Sequence, residues 1–287
     1  MDIGIGLPNT LPGTPGTLLI EWARRAEERG FAGLATIDRV VYPNYDPLIA
    51  LAAAAGATTR IGLVTNILIA PLHRPAMLAK ATASLDQVSA GRLTLGLSAG
   101  GRADDFVAAE RDFHTRGRTF DDTLATLHRA WRGEPVAGGD MAVGPTPVHD
   151  QRVPILIGGS GDYAIRRTLE WGAGWTSGGA PPAQSAPFAA RVRDAWHEAG
   201  RPGEPRIAAL NYFSLGADDA SRQYLHHYYG FLGDYAGMIA EGALRSEAAI
   251  RDTLRAFEDA GFTEVYLDPT VASLDQIDRL ADVVFSR

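Results

Sequence analysis

The stretch ILIGGSGDYAIRR sets Gly158, Gly159, Ser160 and Gly161 between an apolar run and the start of a helical pattern. Such a junction leaves backbone N–H groups free and turns the positive end of a helix toward whatever lies beyond the strand, which suits a phosphate. The same glycines also suit a plain tight turn. Arg166 and Arg167, one turn into the helix, are expected to face solvent. Asp38 and Arg39 end GLATIDR. A guanidinium cannot accept a proton near neutral pH, so Arg39 is read as a ligand for an anionic substrate or cofactor tail, or as the partner of Asp38 in a structural pair. His226, His227, Tyr228 and Tyr229 open HHYYGFLGDYA, which reads as a lid over a pocket or as a packing or dimer surface. A metal there would need further ligands that the sequence does not offer. His73 and Arg74 in PLHRP, and Arg116, Arg118 and Asp122 in the segment after RLTLGLSAG, are read as ordering their loops.

These residues need a frame, and the chain repeats one pattern. DPLIALAAAAG through RLTLGLSAGG, from Asp46 to Gly101, reads helix, strand, helix, strand. RIGLVTNIL and RLTLGLSAG are short apolar runs bounded by turn residues, as strands buried on both faces are. Between them PAMLAKATASLDQVSAGR starts with a proline in its first turn and ends on Gly91, a helix that returns the second strand parallel to the first. Further strands are predicted at DIGIGLP, GLATIDR, VPILIGG, GWTSGG, RIAALNYFSLG and EVYLDP, with helices between them. One long helical region is expected over 218–260, and a short hairpin at MAVGPTPVHDQ. Eight evenly spaced strands with no reversal predict a single α/β domain over residues 1–287, a (β/α)8 TIM barrel, rather than a doubly wound open sheet.

In such a barrel the chemistry sits where the strands end. Those ends carry Asp38 and Arg39, Asn66 and Ile67, Ala99 and Gly100, the glycine loop, and Thr176. They hold no histidine, which does not suit a hydrolase, whereas backbone, amides and apolar side chains suit a wide aromatic cofactor that brings its own reactivity. Other chemistries are excluded by composition. Cysteine is absent, so there is no disulfide, thiolate metal site or cysteine nucleophile, and Lys80 is the only lysine. A net charge of −7 argues against nucleic acid or an anionic membrane as partner. No apolar run is long enough to span a bilayer and no leader pattern opens the chain, so a cytoplasmic location is expected.

The strand TNILIAPLHRP, then LAKATASLDQVSAGR, then LTLGLSAG, closely resembles the luciferase-like flavin-dependent oxidoreductases, whose members use FMN or the deazaflavin F420. The resemblance implies a luciferase-like barrel holding reduced FMN for monooxygenation, or reduced F420 for hydride transfer, with a small organic molecule as substrate. A separate flavin or F420 reductase and a homodimer are further implications. It assigns the cofactor to Asn66, Ile67, Ala99, Gly100, Gly158, Gly159, Ser160, Gly161 and Thr176, with a bulge and a non-prolyl cis peptide at Asn66–Ile67 supporting the ring. Asp38, Arg39 and Asn66 stand as catalytic candidates. GFAGLATIDRV matches the family's aspartate but has Arg39 for its usual histidine, and Gly101 stands where the sugar-phosphate dehydrogenases of the deazaflavin branch carry a glutamate. Both departures count against that subtype. The alternative function is a non-catalytic barrel that binds a phosphorylated ligand.

Overall fold

The computed structural model describes residues 1–136 and 138–285. Its strands are β1 (Asp2–Gly6), β2 (Gly33–Thr36), β3 (Gly62–Ile69), β4 (Leu93–Ser98), β5 (Ile155–Gly158), β6 (Gly174–Thr176), β7 (Arg206–Phe213) and β8 (Glu264–Pro269). They pair in sequence order, all parallel, and β8 closes on β1. The helices are α1 (Gly16–Glu28), α2 (Pro47–Ala57), α3 (Pro75–Val88), α4 (Ala103–Ala108), α5 (Arg116–Trp131), α6 (Asp162–Trp171), α7 (Pro182–Glu198), α8 (Asp218–Tyr229), α9 (Tyr235–Glu241), α10 (Glu247–Asp259) and α11 (Asp275–Phe285). Among the described residues no helix is long and apolar enough to cross a membrane.

Alternation along each short strand sends one set of side chains outward against the helices and the other into the lumen. The outer set joins Trp22, Leu51, Phe120, Leu127 and Phe257 from the helices in the main core, while Ala35, Val64, Leu156, Ala208 and Tyr266 fill the lumen as a separate cluster. Tyr266 fits because glycines face it: a Cβ on Gly4 would lie 2.4 Å from its ring and one on Gly33 3.0 Å.

Two expectations are corrected. The segment at 141–151 is no hairpin; its trace is a loop touched by a single antiparallel bridge, Pro135 to Ala142, with a cis Gly144–Pro145 bond and left-handed Asp150 and Gln151. Side chains of α3 take the backbone groups that a ladder would need: Lys80 Nζ donates to Gly144 O (2.9 Å), Gln87 to Thr146 O (2.8 Å), and Asp86 accepts from Val148 N (2.7 Å). The region 218–260 is not one helix. It breaks at Gly230, at Gly233 (φ +58°) and at Gly242 into α8, a 3-10 turn, α9 and α10, and the break folds the aromatic segment back over the barrel mouth.

Candidate active site

The bulge expected in β3 is present. Thr65 pairs with Leu95 and Leu68 with Leu97, so Asn66 and Ile67 together oppose Gly96, and the Asn66–Ile67 peptide is cis. Gly96 is what admits this, since a Cβ there would come within 2.2 Å of Thr65 O and 2.8 Å of Ile67 Cγ2. A Cβ on Gly158 of β5 would likewise reach Ile67 Cδ1 at 2.7 Å. Ile67 thus lies across two neighbouring strands that have no side chains to oppose it, an apolar platform facing the mouth.

Asn66 is buried beside that platform. Its Oδ1 accepts from Thr176 Oγ1 at 2.8 Å, while Nδ2 has no partner among the described residues. Thr176, 1% exposed, therefore orients Asn66 from behind rather than lining the pocket itself. A buried amide donor left open costs about 1–3 kcal/mol. The platform and the open donor fit a flat heteroaromatic ring with carbonyl oxygens at its edge.

The pocket over this platform encloses about 320 Å³, with Asp38, Asn66, Ile67, Ser98, Gly100 and Arg102 on one side and Tyr212, Tyr228, Tyr229 and Phe231 on the other. The aromatic segment after β7 is thus a roof, the lid reading of HHYYGFLGDYA. Asp38 Oδ2 accepts from Ile69 N (2.9 Å) and stands 4.0 Å from His73 Nε2, tying the end of β2 to the bulged strand. The Asp38–Arg39 pair does not form. Arg39 turns under the roof instead, donating to Tyr228 O (3.1 Å) and lying 3.5 Å from Asp104, with its guanidinium over Tyr42 and Tyr228.

Arg102, which the sequence reading missed, donates to the same carbonyl at 3.2 and 3.3 Å and stacks 3.7 Å from the Phe231 ring centre. Burial pulls its pKa below the usual guanidinium value. Burial acts oppositely on the roof phenols, raising Tyr212, Tyr228 and Tyr229 above the ordinary tyrosine value. They are neutral donors at neutral pH. His226 and His227 are exposed, His227 Nδ1 sits 2.8 Å from Tyr42 Oη, and no metal-ligand cluster occurs among the described residues.

At Ala99, next to Gly100, the pocket meets a second, basic cleft of about 670 Å³ lined by Arg116, Arg118, Asp121, Tyr163 and Arg167. Arg167 is not solvent-facing as expected but 7% exposed, held by Asp121 at 2.7 and 3.2 Å. Its burial follows from helical spacing, because Ala164, Arg167 and Thr168 share the inner face of α6. Arg166 is exposed and pairs with Asp121 and Glu170. Arg116 orders its loop through Phe113 O (2.8 Å) and Gly100 O (3.2 Å). Gly159 (φ +114°), Ser160 and Gly161 are exposed, and Gly161 precedes the first residue of α6 without giving it a side-chain cap. The one carboxylate in that first turn, Asp162, is paired with Arg191 at 2.6 Å.

A closed parallel barrel whose strand ends join a flat slot to a basic cleft belongs to the barrels that bind ligands at the C-terminal face. The luciferase-like monooxygenase model matches residues 1–256, and the chain belongs to that family. A Mycobacterium tuberculosis protein of unassigned function is 29% identical over 231 residues, 70% of this chain and 80% of its own length. A monooxygenase from Streptomyces bottropensis superposes with a TM-score of 0.81 at 23% identity, covering 99% of both chains. An F420-dependent secondary alcohol dehydrogenase, bound to an F420–acetone adduct, gives 0.80 at 18% identity over 99% of this chain and 98% of its own. Those two likenesses concern the fold.

Proposed function

We propose that this chain is an oxidoreductase that holds reduced FMN or reduced F420 at the barrel mouth and acts on a small organic substrate. The cofactor when bound supplies the reducing power, for monooxygenation with FMNH2 or hydride transfer with F420H2. The observation that carries the reading is the Ile67 platform over Gly96 and Gly158 with the unpartnered Asn66 Nδ2 beside it. Asn66, Ile67, Gly100 and Gly158 would hold the ring. The amides of Gly159, Ser160 and Gly161, with Arg116 and Arg167 across the basic cleft, would hold the phosphate. The roof of Tyr228, Tyr229 and Phe231 shields the ring from water. A separate reductase and a homodimer belong to the same proposal and rest on the family resemblance.

The test is titration of the purified protein with FMN and with F420, each oxidised and reduced, by fluorescence and calorimetry. Tight binding of F420 alone assigns hydride transfer, and tight binding of FMNH2 alone assigns monooxygenation. Binding of inorganic phosphate with neither ring would replace the proposal by a barrel for some other phosphorylated ligand.

A further inference from the structure

Arg39 stands at the position of the family's histidine and Gly101 where the sugar-phosphate dehydrogenases of the deazaflavin branch carry a glutamate, so neither position supplies a side chain that exchanges a proton near neutral pH. The pocket lining narrows the choice. On the platform side Asp38 accepts from Ile69 N, Arg102 donates to the Tyr228 carbonyl, and the Ser98 hydroxyl, which accepts from Gly100 N (3.3 Å), keeps its own hydrogen as a single donor with no second hydroxyl bonded to it among the described residues. Across the pocket, Tyr212 from β7 and Tyr229 from the end of α8 bring their hydroxyls to 2.6 Å. Two hydroxyls carry two hydrogens and one bond uses one of them. The second has no acceptor among the described residues.

We propose that the Tyr212–Tyr229 pair is the hydrogen-bond donor to a carbonyl or oxyanion oxygen of the substrate, with Tyr229 touching that oxygen and Tyr212 positioning it. The proposal rests on the oxidoreductase reading, and it names the substrate class: an organic compound whose reacting centre bears such an oxygen. A hydroxyl that accepts a hydrogen bond donates a stronger one, so the pair is a better donor than either phenol alone. Burial holds both phenols protonated. The Arg102 guanidinium, 5.7 Å from the Tyr229 ring centre, acts in the opposite sense and stabilises negative charge gathering at the phenol oxygen. The roof contains one more phenol, Tyr228, whose backbone carbonyl fastens both arginines.

The probe is 4-nitrophenol, whose ionised form is read by its visible absorbance, added to protein with and without FMN or F420. The parent is expected to bind the phenolate and to lower its apparent pKa. Tyr229→Phe is expected to weaken phenolate binding by about tenfold or more and to return its pKa toward that in water, and Tyr212→Phe to do the same by a smaller factor. FMN and F420 binding is measured on the parent independently of the phenolate, so loss of the cofactor reading and loss of this one are separate results. A parent that fails to bind the phenolate, a Tyr229→Phe variant that binds it with unchanged affinity and pKa, or an effect confined to Tyr228→Phe would each overturn the assignment.

Discussion

The two ends of the barrel lumen are built from the same eight strands and treat polar groups oppositely. At the closed end Arg206 donates to both oxygens of Glu264 (2.7 and 2.9 Å) and to Thr94 Oγ1 (3.0 Å), and Tyr266 Oη completes the set on Glu264 at 2.7 Å. At the open end Asn66 Nδ2, Ser177 Oγ and both oxygens of Asp268 are buried without a partner among the described residues. A partnered buried group contributes to stability or breaks even, whereas an orphaned one costs free energy until something satisfies it. The closed end therefore holds the fold together, and the open end is arranged for groups that arrive with a ligand.

The largest effect belongs to the closed end. Glu264→Ala leaves Arg206 in the lumen with no carboxylate, and breaking such a pair costs about 3–5 kcal/mol. A side-chain exposure of 35% for Arg206 places the expected loss at the lower end of that range. Urea unfolding measures it, and cofactor affinity of the folded variant should match the parent. A loss comparable to that of an exposed ion pair would erase the contrast between the two ends.

A pH-dependent effect comes from the open end. Burial alone holds Asp268 well above the ordinary carboxylate value, so it keeps its proton to higher pH in the folded chain than in the unfolded one. The sign follows from linkage. The contribution is fully present below the unfolded value of about 3.9 and is lost as pH rises toward the folded value, at up to about 1.4 kcal/mol per pH unit. Asp268→Asn removes this titration. Unfolding curves should show the variant gaining on the parent as pH rises above about 4; parallel curves would mean that burial does not raise the Asp268 pKa.

What the sequence made legible was local. Strands and helices announced themselves by periodicity and by glycine and proline punctuation, and the Asn66–Ile67 bulge and the glycine loop lay within single segments whose wording resembles the family. The misses are contacts between distant segments. The spacing of α6 turns Arg167 inward, but the partner that satisfies its charge there, Asp121, lies 46 residues earlier. Arg102 and Arg39 meet at the Tyr228 carbonyl, 126 and 189 residues away. The loop at 141–151 reads in the sequence as a short hairpin, but its backbone partners are side chains of α3, which no local pattern shows. Strand ends also ran long in the reading: β2 stops at Thr36, two residues before Asp38, because Asp38 leaves the ladder to bind Ile69 N.

The smallest effect in free energy bears most directly on how the open end is used. Gly158 lies within β5 and has no left-handed φ, so alanine meets no backbone strain there. Its Cβ would come 2.7 Å from Ile67 Cδ1 and 3.3 Å from Ser98 Cβ. The first is the far end of a flexible side chain, so Ile67 should turn up into the slot rather than the barrel give way. Gly158→Ala is therefore expected to weaken FMN or F420 binding by about tenfold, equivalent to about 1.4 kcal/mol, with a smaller change in unfolding free energy. Gly56→Ala on α2 is the matched control, because a Cβ there has nothing within 4 Å; it should leave ring binding untouched. If Gly158→Ala binds the ring as the parent does, the ring does not rest on Ile67, and the unpartnered donor of Asn66 serves some other ligand.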